Sequence, residues 1–236
     1  MVNIKIVNNQ THKNTKIEKN PSLIQCKDMH FIPIVISEFI DLSKEFPIVF
    51  VKDGQTGVFN SVALMGLEPK ENLFFNGEVW QSNYTPQLLS FYPFLIQQQS
   101  DGQALLCIDE DSPLVNEVSG DRLFDVNGGQ MDWIKVKAER IVAHLENRLL
   151  THKLIKLLID KELLAIKTLT IKLENKVKYD LNGLYVISEE QFNDLSNDDF
   201  IELRKLGVLP SIYAVLMSMR CVNNLVTKKN MRDINS

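Results

Sequence analysis

The residues best typed for chemistry are three acids closing an apolar run, Cys107-Ile108-Asp109-Glu110-Asp111. Converging carboxylates can hold a divalent cation through several oxygens. They can also exchange protons with a neighbouring base. The spacing matches no calcium loop, so solvation of a strand end is the expected role. His30 precedes another apolar run. With Asp109 and Asp111 it makes the candidate catalytic set, to which Asp121 or Asp125 would add a further acid. His144 and His152 stand eight positions apart, two helical turns. A helical metal site needs i, i+3 or i+4 spacing, so both are expected on a helix surface. Ser61, Ser90 and Ser218 lack a nucleophile-elbow context, and no Lys-Ser/Thr follows Gly128-Gly129. The three cysteines, Cys26, Cys107 and Cys221, are far apart and form no CxxC. They are expected as buried reduced thiols rather than as disulfides or zinc ligands. No metal and no cofactor is expected.

Binding has a second set of residues. Trp80, Tyr84, Phe91, Tyr92 and Phe94 form an aromatic-dense stretch that would line a peptide or small-molecule groove, or fill a core. The chain has 236 residues, 44% of them hydrophobic, and a net charge of −4. That is enough apolar surface for a real core, and the charge balance argues against a nucleic-acid partner. No uninterrupted apolar stretch reaches the roughly 18 residues of a membrane span. The polar N-terminus lacks the apolar region of a secretory signal, so a cytoplasmic location is expected.

The elements that must position these residues are legible from periodicity. Phe46-Pro47-Ile48-Val49-Phe50-Val51 and Val58-Phe59-Asn60-Ser61-Val62-Ala63-Leu64 flank Asp53-Gly54, which reads as a β-hairpin. Ile4-Lys5-Ile6-Val7 reads as a short edge strand at the start of a flexible N-terminal arm, residues 1–20. Ser37 is expected to cap a short helix through Phe39, Ile40 and Leu42. Residues 72–80 read as a strand broken at Asn76-Gly77. Thr85-Pro86 reads as a helix start, cut short near Pro93. Ala104-Leu105-Leu106-Cys107-Ile108, bounded by Asp101-Gly102 and Asp109-Glu110-Asp111, fits a buried central strand.

The longest helical pattern covers about 132–158, with Ile134, Ile141, Val142, Leu145, Leu149, Leu150, Leu154, Ile155 and Leu158 on its apolar side. Alternation then marks two strands over 165–173 and 177–187, with Asn182-Gly183 as a bulge or turn. Helices start at the Ser188…Gln191 capping box, at Ser196 (stopped by Gly207), and at Pro210. The basic tail is expected to fray, giving a single domain over 21–228 and a flexible tail over 229–236.

The order of these blocks resembles the SapC family. His30-Phe31-Ile32-Pro33, Glu38-Phe39, Phe46-Pro47-Ile48-Val49-Phe50, Val62-Ala63-Leu64-Met65-Gly66-Leu67, Tyr92-Pro93-Phe94, Gly120-Asp121-Arg122-Leu123-Phe124, Leu181-Asn182-Gly183-Leu184-Tyr185 and Gly207-Val208-Leu209-Pro210 carry the likeness over about 28–226. The resemblance implies a bacterial cytosolic protein, in a family named for a locus of surface-layer protein production and export. It brings no established active site. The family's last helix often has His after Tyr-Ala, where this chain has Val215. The expected fold is α+β: a mixed, mainly antiparallel sheet with packed helices, a long central helix and a helical C-terminal segment. The leading functional reading is a non-enzymatic accessory protein that engages a protein or peptide through the aromatic residues. The rival is a peptide-directed hydrolase or metal-assisted modifier built on the His/Asp set. A homodimer seamed by the long helix is a third reading.

Overall fold

The β-branched runs around Asp53-Gly54 pair as an antiparallel hairpin, with Val49 opposite Val62 and Lys52 opposite Phe59. The Asp53 carboxylate closes the turn by accepting the backbone N–H groups of Gln55 and Thr56. The computed structural model describes residues 3–19, 23–98 and 104–234. In chain order the strands are β1 (Ile4–Ile6), β2 (Lys16–Ile17), β3 (Phe31–Pro33), β4 (Ile48–Lys52), β5 (Phe59–Leu64), β6 (Phe94–Gln98), β7 (Ala104–Asp109), β8 (Val115–Asn116), β9 (Asp121–Arg122), β10 (Leu164–Lys172) and β11 (Lys178–Ile187). The helices are α1 (Phe39–Leu42), α2 (Gln87–Phe91), α3 (Asp132–Asp160), α4 (Glu189–Asn193), α5 (Asn197–Lys205), α6 (Leu209–Ser218) and α7 (Val222–Ile234). The fold is α+β, and every pairing between these strands is antiparallel.

The chain divides into two compact units rather than the single body expected over 21–228. One comprises Met1–Ser22 and Leu89–Glu146, the other Leu23–Leu88 and Asn147–Ser236. The first unit holds two three-stranded sheets, β1-β7-β6 and β8-β2-β9. β7 is central, as its apolar run requires, but it is buried only over 107–109, with Ala104 exposed and Leu105 and Leu106 half-buried; β1 lies at an edge with Ile4 and Ile6 exposed. The Asp101-Gly102 turn lies outside the described residues. Residues 3–19 are not an arm. β2 pairs with both β8 and β9, and His12 is 2% exposed. Two-residue strands carry no readable alternation, so only their tertiary partners define them. The core gathers Ile17, Phe91, Phe94, Ile108, Leu123, Phe124, Ile134 and Ile141.

The second unit is a five-stranded sheet, β10-β11-β4-β5-β3, which joins both expected β segments. Pro33, which has no N–H to donate, sits on the edge strand β3. The β10–β11 register slips between Lys167 and Leu169, opposite Asn182-Gly183, and Gly183 takes φ +74° there. This is the expected bulge. α6 packs on α1, β4 and β11. Phe39, Leu42, Phe46, Ile48, Phe50, Leu64 and Ile212 are wholly buried.

Caps fall where expected at Ser188 and Ser196, whose side chains accept the N–H groups of Gln191 and Asp199. Ser37 does not cap. The chain enters α1 through a 3-10 turn whose preceding residue is Val35. Residues 72–80 form no strand, only a single bridge between Phe75 and Trp80, because Asn72 and Asn76 draw the following N–H groups into side-chain turns. Leu95 lies in β6, since the helix ends before Pro93.

In α3, Val142, Leu149 and Leu150 are exposed and His144 is buried, so its apolar face is narrower than its sequence and rotated from it. The residues after Pro210 form two helices, α6 and α7, joined by a 3-10 turn.

Ser218 locks α6 to the sheet. Its hydroxyl donates to the Val215 carbonyl at 2.6 Å and accepts the Ile48 N–H at 2.9 Å, all buried. Ser218→Ala leaves that N–H without its partner, so a stability loss of about 1–3 kcal/mol is expected by urea denaturation. An unchanged midpoint would show that the bond is dispensable.

Candidate functional site

The cleft in the second unit is built first by a close turn. A Cβ on Gly66 would lie 2.2 Å from the Glu71 carbonyl oxygen, so only glycine permits this approach. The Leu67 N–H donates to the Glu71 carboxylate at 2.9 Å, and the Glu71 N–H to the Glu68 carbonyl at 3.2 Å. Lys70, between them, adopts φ +63°, a left-handed conformation that costs a non-glycine residue about 1 kcal/mol or more. Asn72 then ties the turn to residues 23–28, donating its side-chain amide to the Cys26 carbonyl at 2.9 Å.

α7 closes the other wall. The segment expected to fray from 229 onward is helical to Ile234, with 235 and 236 outside the described residues. Lys229 is 7% exposed, and its Nζ lies 2.7 Å from Glu71 Oε1 and 2.9 Å from Glu68 Oε2. Burial disfavours its charge, but the hydrogen bonds with Glu71 and Glu68 outweigh that and raise its pKa above the ordinary lysine value. Arg232 donates to the carbonyls of Asn72 at 2.8 Å and Phe75 at 3.1 Å. Lys228 donates to the Gln81 carbonyl at 3.1 Å and lies 4.9 Å from the Phe74 ring centroid. Burial lowers its pKa.

Between these walls lies a cleft of about 1060 Å³. Its charged lining is Lys27, Lys70, Lys228 and Arg232 against Asp28, Glu68 and Glu71; Pro69 and Met231 add apolar surface, and Phe75, also in the lining, is buried. A smaller, mainly apolar recess of about 500 Å³ lies between Leu150, Leu154 and Leu157 of α3 and Leu206-Gly207-Val208.

Elsewhere in the second unit, Glu38 is wholly buried. Its carboxylate accepts the N–H of Gln87 at 2.7 Å, the N–H of Val35 at 3.2 Å and the hydroxyl of Tyr84 at 3.3 Å. Burial raises its pKa, and the three donors offset part of that. Burial, with the Glu38 charge adding to it, pushes the Tyr84 phenol up to about 12.

The residues singled out in the sequence fall in both units. His30 belongs to the second unit, where its ring lies 4.0 Å from that of Phe31 and burial lowers its pKa. Asp109 and Asp111 belong to the first unit. The Asp109 carboxylate accepts the N–H groups of Asn3 at 3.0 Å and Asp111 at 3.3 Å, with the Tyr92 hydroxyl at 3.5 Å, while Asp111 is exposed. Asp109 thus organises a strand end. Asp121 pairs with Lys19, and Asp125 accepts backbone N–H groups of its own loop. Among the described residues, no group of three or more His, Cys, Asp or Glu side chains is arranged to hold a metal ion.

The aromatic stretch divides in the same way. Phe91 and Phe94 are buried in the first unit's core, with Tyr92 half-buried beside it. Trp80 and Tyr84 belong to the second unit, where the Trp80 indole donates to the Tyr84 carbonyl at 3.0 Å and stacks on Phe46. No sequence motif singles out the cleft's own charges. The available signal was the spacing of Lys228 and Arg232, one turn apart on a single helix face.

The fold and site define an α+β protein whose second unit carries an open cleft walled by pinned charges. The chain belongs to the SapC family, whose model matches residues 7–225. No significant match was found among curated proteins or among solved structures. Among the described residues no single helix is long and apolar enough to cross a membrane.

Proposed function

We propose that this protein is a non-enzymatic accessory protein that holds a segment of a partner polypeptide in the cleft between the 67–77 turn and α7. The observation that carries this reading is the cleft itself. At about 1060 Å³ it lies at the upper end of the range for small-molecule pockets. It is open, and it mixes apolar and charged lining, as polypeptide-binding surfaces do. Glu68 and Glu71 are paired with Lys229, which suits a wall that positions a ligand better than one that moves protons. Membership of the SapC family adds a surface-layer or related bacterial polypeptide as the partner and the cytoplasm as the site of action.

The test is site-specific photo-crosslinking with the full chain against a panel of labelled 12-residue peptides. A benzoylphenylalanine is placed at Met231 on the cleft, or at Met217, which is 62% exposed on α6 outside it. Saturable capture from position 231 and not from 217 is expected. Absence of saturable binding by every peptide, or equal capture from both positions, refutes the reading.

A further inference from the structure

We infer that the segment held in this cleft is acidic, a deduction that rests on the polypeptide-binding reading above and adds the chemistry of the ligand. The chain as a whole carries a net charge of −4, so an anionic ligand would be repelled from an average patch of its surface. The cleft runs against that average. Four cations line it, and two of its three acids, Glu68 and Glu71, are bound from behind by Lys229. Lys27 and Lys70 are exposed and have no ion-pair partner among the described residues.

The backbone supports the same conclusion. The left-handed conformation of Lys70 places a charged residue where glycine or asparagine would be less strained. Lys228 keeps its ammonium over the Phe74 ring although burial disfavours its charge, so an approaching carboxylate would relieve that cost.

Three anionic partners share this chemistry: carboxylate-bearing polypeptide, nucleic acid and an anionic bilayer. The cleft favours the first. Single-stranded nucleic acid binds by stacking bases on exposed rings along a cationic track. Here the one aromatic side chain of the lining, Phe75, is 3% exposed. A bilayer presents a flat surface, whereas these cations line a concave one. Pro69 and Met231 offer apolar contact between the charges, which suits a segment alternating acidic and apolar side chains.

Fluorescence anisotropy on the full chain decides the matter. Three 12-residue peptides of equal apolar content carry glutamate, glutamine or lysine at the same positions, alongside a single-stranded oligonucleotide and vesicles containing phosphatidylserine. The glutamate peptide is expected to bind at least tenfold more tightly than the glutamine peptide, and to weaken as salt rises from 50 to 300 mM. Lys27→Glu combined with Lys70→Glu should remove that advantage while the thermal midpoint stays within a few degrees. Equal binding of glutamate and glutamine peptides, or preference for lysine, overturns the acidic assignment and leaves the polypeptide reading standing. Tighter binding of the oligonucleotide or the vesicles overturns the assignment in favour of a phosphate ligand. Failure of all three peptides overturns both.

Discussion

Lys229→Met is expected to cost about 3–5 kcal/mol of folding stability, the range for removing one partner of a buried ion pair. The effect comes from what is left behind. The Glu71 side chain is only 10% exposed, so without Nζ at 2.7 Å its charge is stranded away from water. Glu68 is 51% exposed and can rehydrate, so Glu68→Gln alone should shift stability by less than about 1 kcal/mol. The decisive variant is the double one. Lys229→Met with Glu71→Gln removes both buried charges and should recover a large part of the loss, because well-packed neutral side chains replace buried pairs at little cost. Urea denaturation of the four proteins of this cycle reads the coupling directly. A loss below about 1 kcal/mol in Lys229→Met, or no recovery in the double variant, would remove the pin from the account of the cleft. Because the lysine pKa is raised in the fold, its stabilisation is complete below the ordinary lysine value and disappears only in strong alkali, as pH climbs through the raised one.

Glu38→Ala is expected to be the second large loss, about 2–4 kcal/mol. Truncation removes the carboxylate that accepts the N–H groups of Val35 and Gln87 and opens a cavity at a wholly buried position. The carboxyl also predicts a pH signature. Burial raises its folded pKa above the ordinary glutamate value of 4.5, so the native state binds this proton more readily than the unfolded chain does. Its contribution to stability is therefore full below pH 4.5 and is lost as pH rises through the raised folded value. Asp53, Asp180 and Asp199 act with the opposite sign: hydrogen bonds lower their pKa values, so their contributions are lost as pH falls. Glu38→Gln isolates the Glu38 part. Subtracting its stability curve from that of the parent should give a difference that declines with pH upward from 4.5. A flat difference curve would mean that Glu38 titrates alike in both states.

These two residues also mark what local sequence does not reveal. The hairpin, the Ser188 and Ser196 caps, the Gly183 bulge and the central strand β7 were all legible, because each depends on residues adjacent in the chain. Strands β2, β8 and β9 were not legible: two residues show no period. The helical end of α7 is not legible for a different reason. A basic, polar segment has little tendency to order itself, and its order comes from Glu68 and Glu71, 161 and 158 residues earlier.

Alternation, capping and turn chemistry were decided by the sequence itself, since neighbouring side chains and backbone groups settle them over a few residues. They determined an α+β chain with two antiparallel strand pairs. The division into two units, the burial of Phe91 and Phe94 and the charged cleft were decided only by tertiary structure. Burial and Coulomb interaction act on distance through space, so side chains as far apart in the chain as Glu71 and Lys229 acquire their roles only when the fold brings them together.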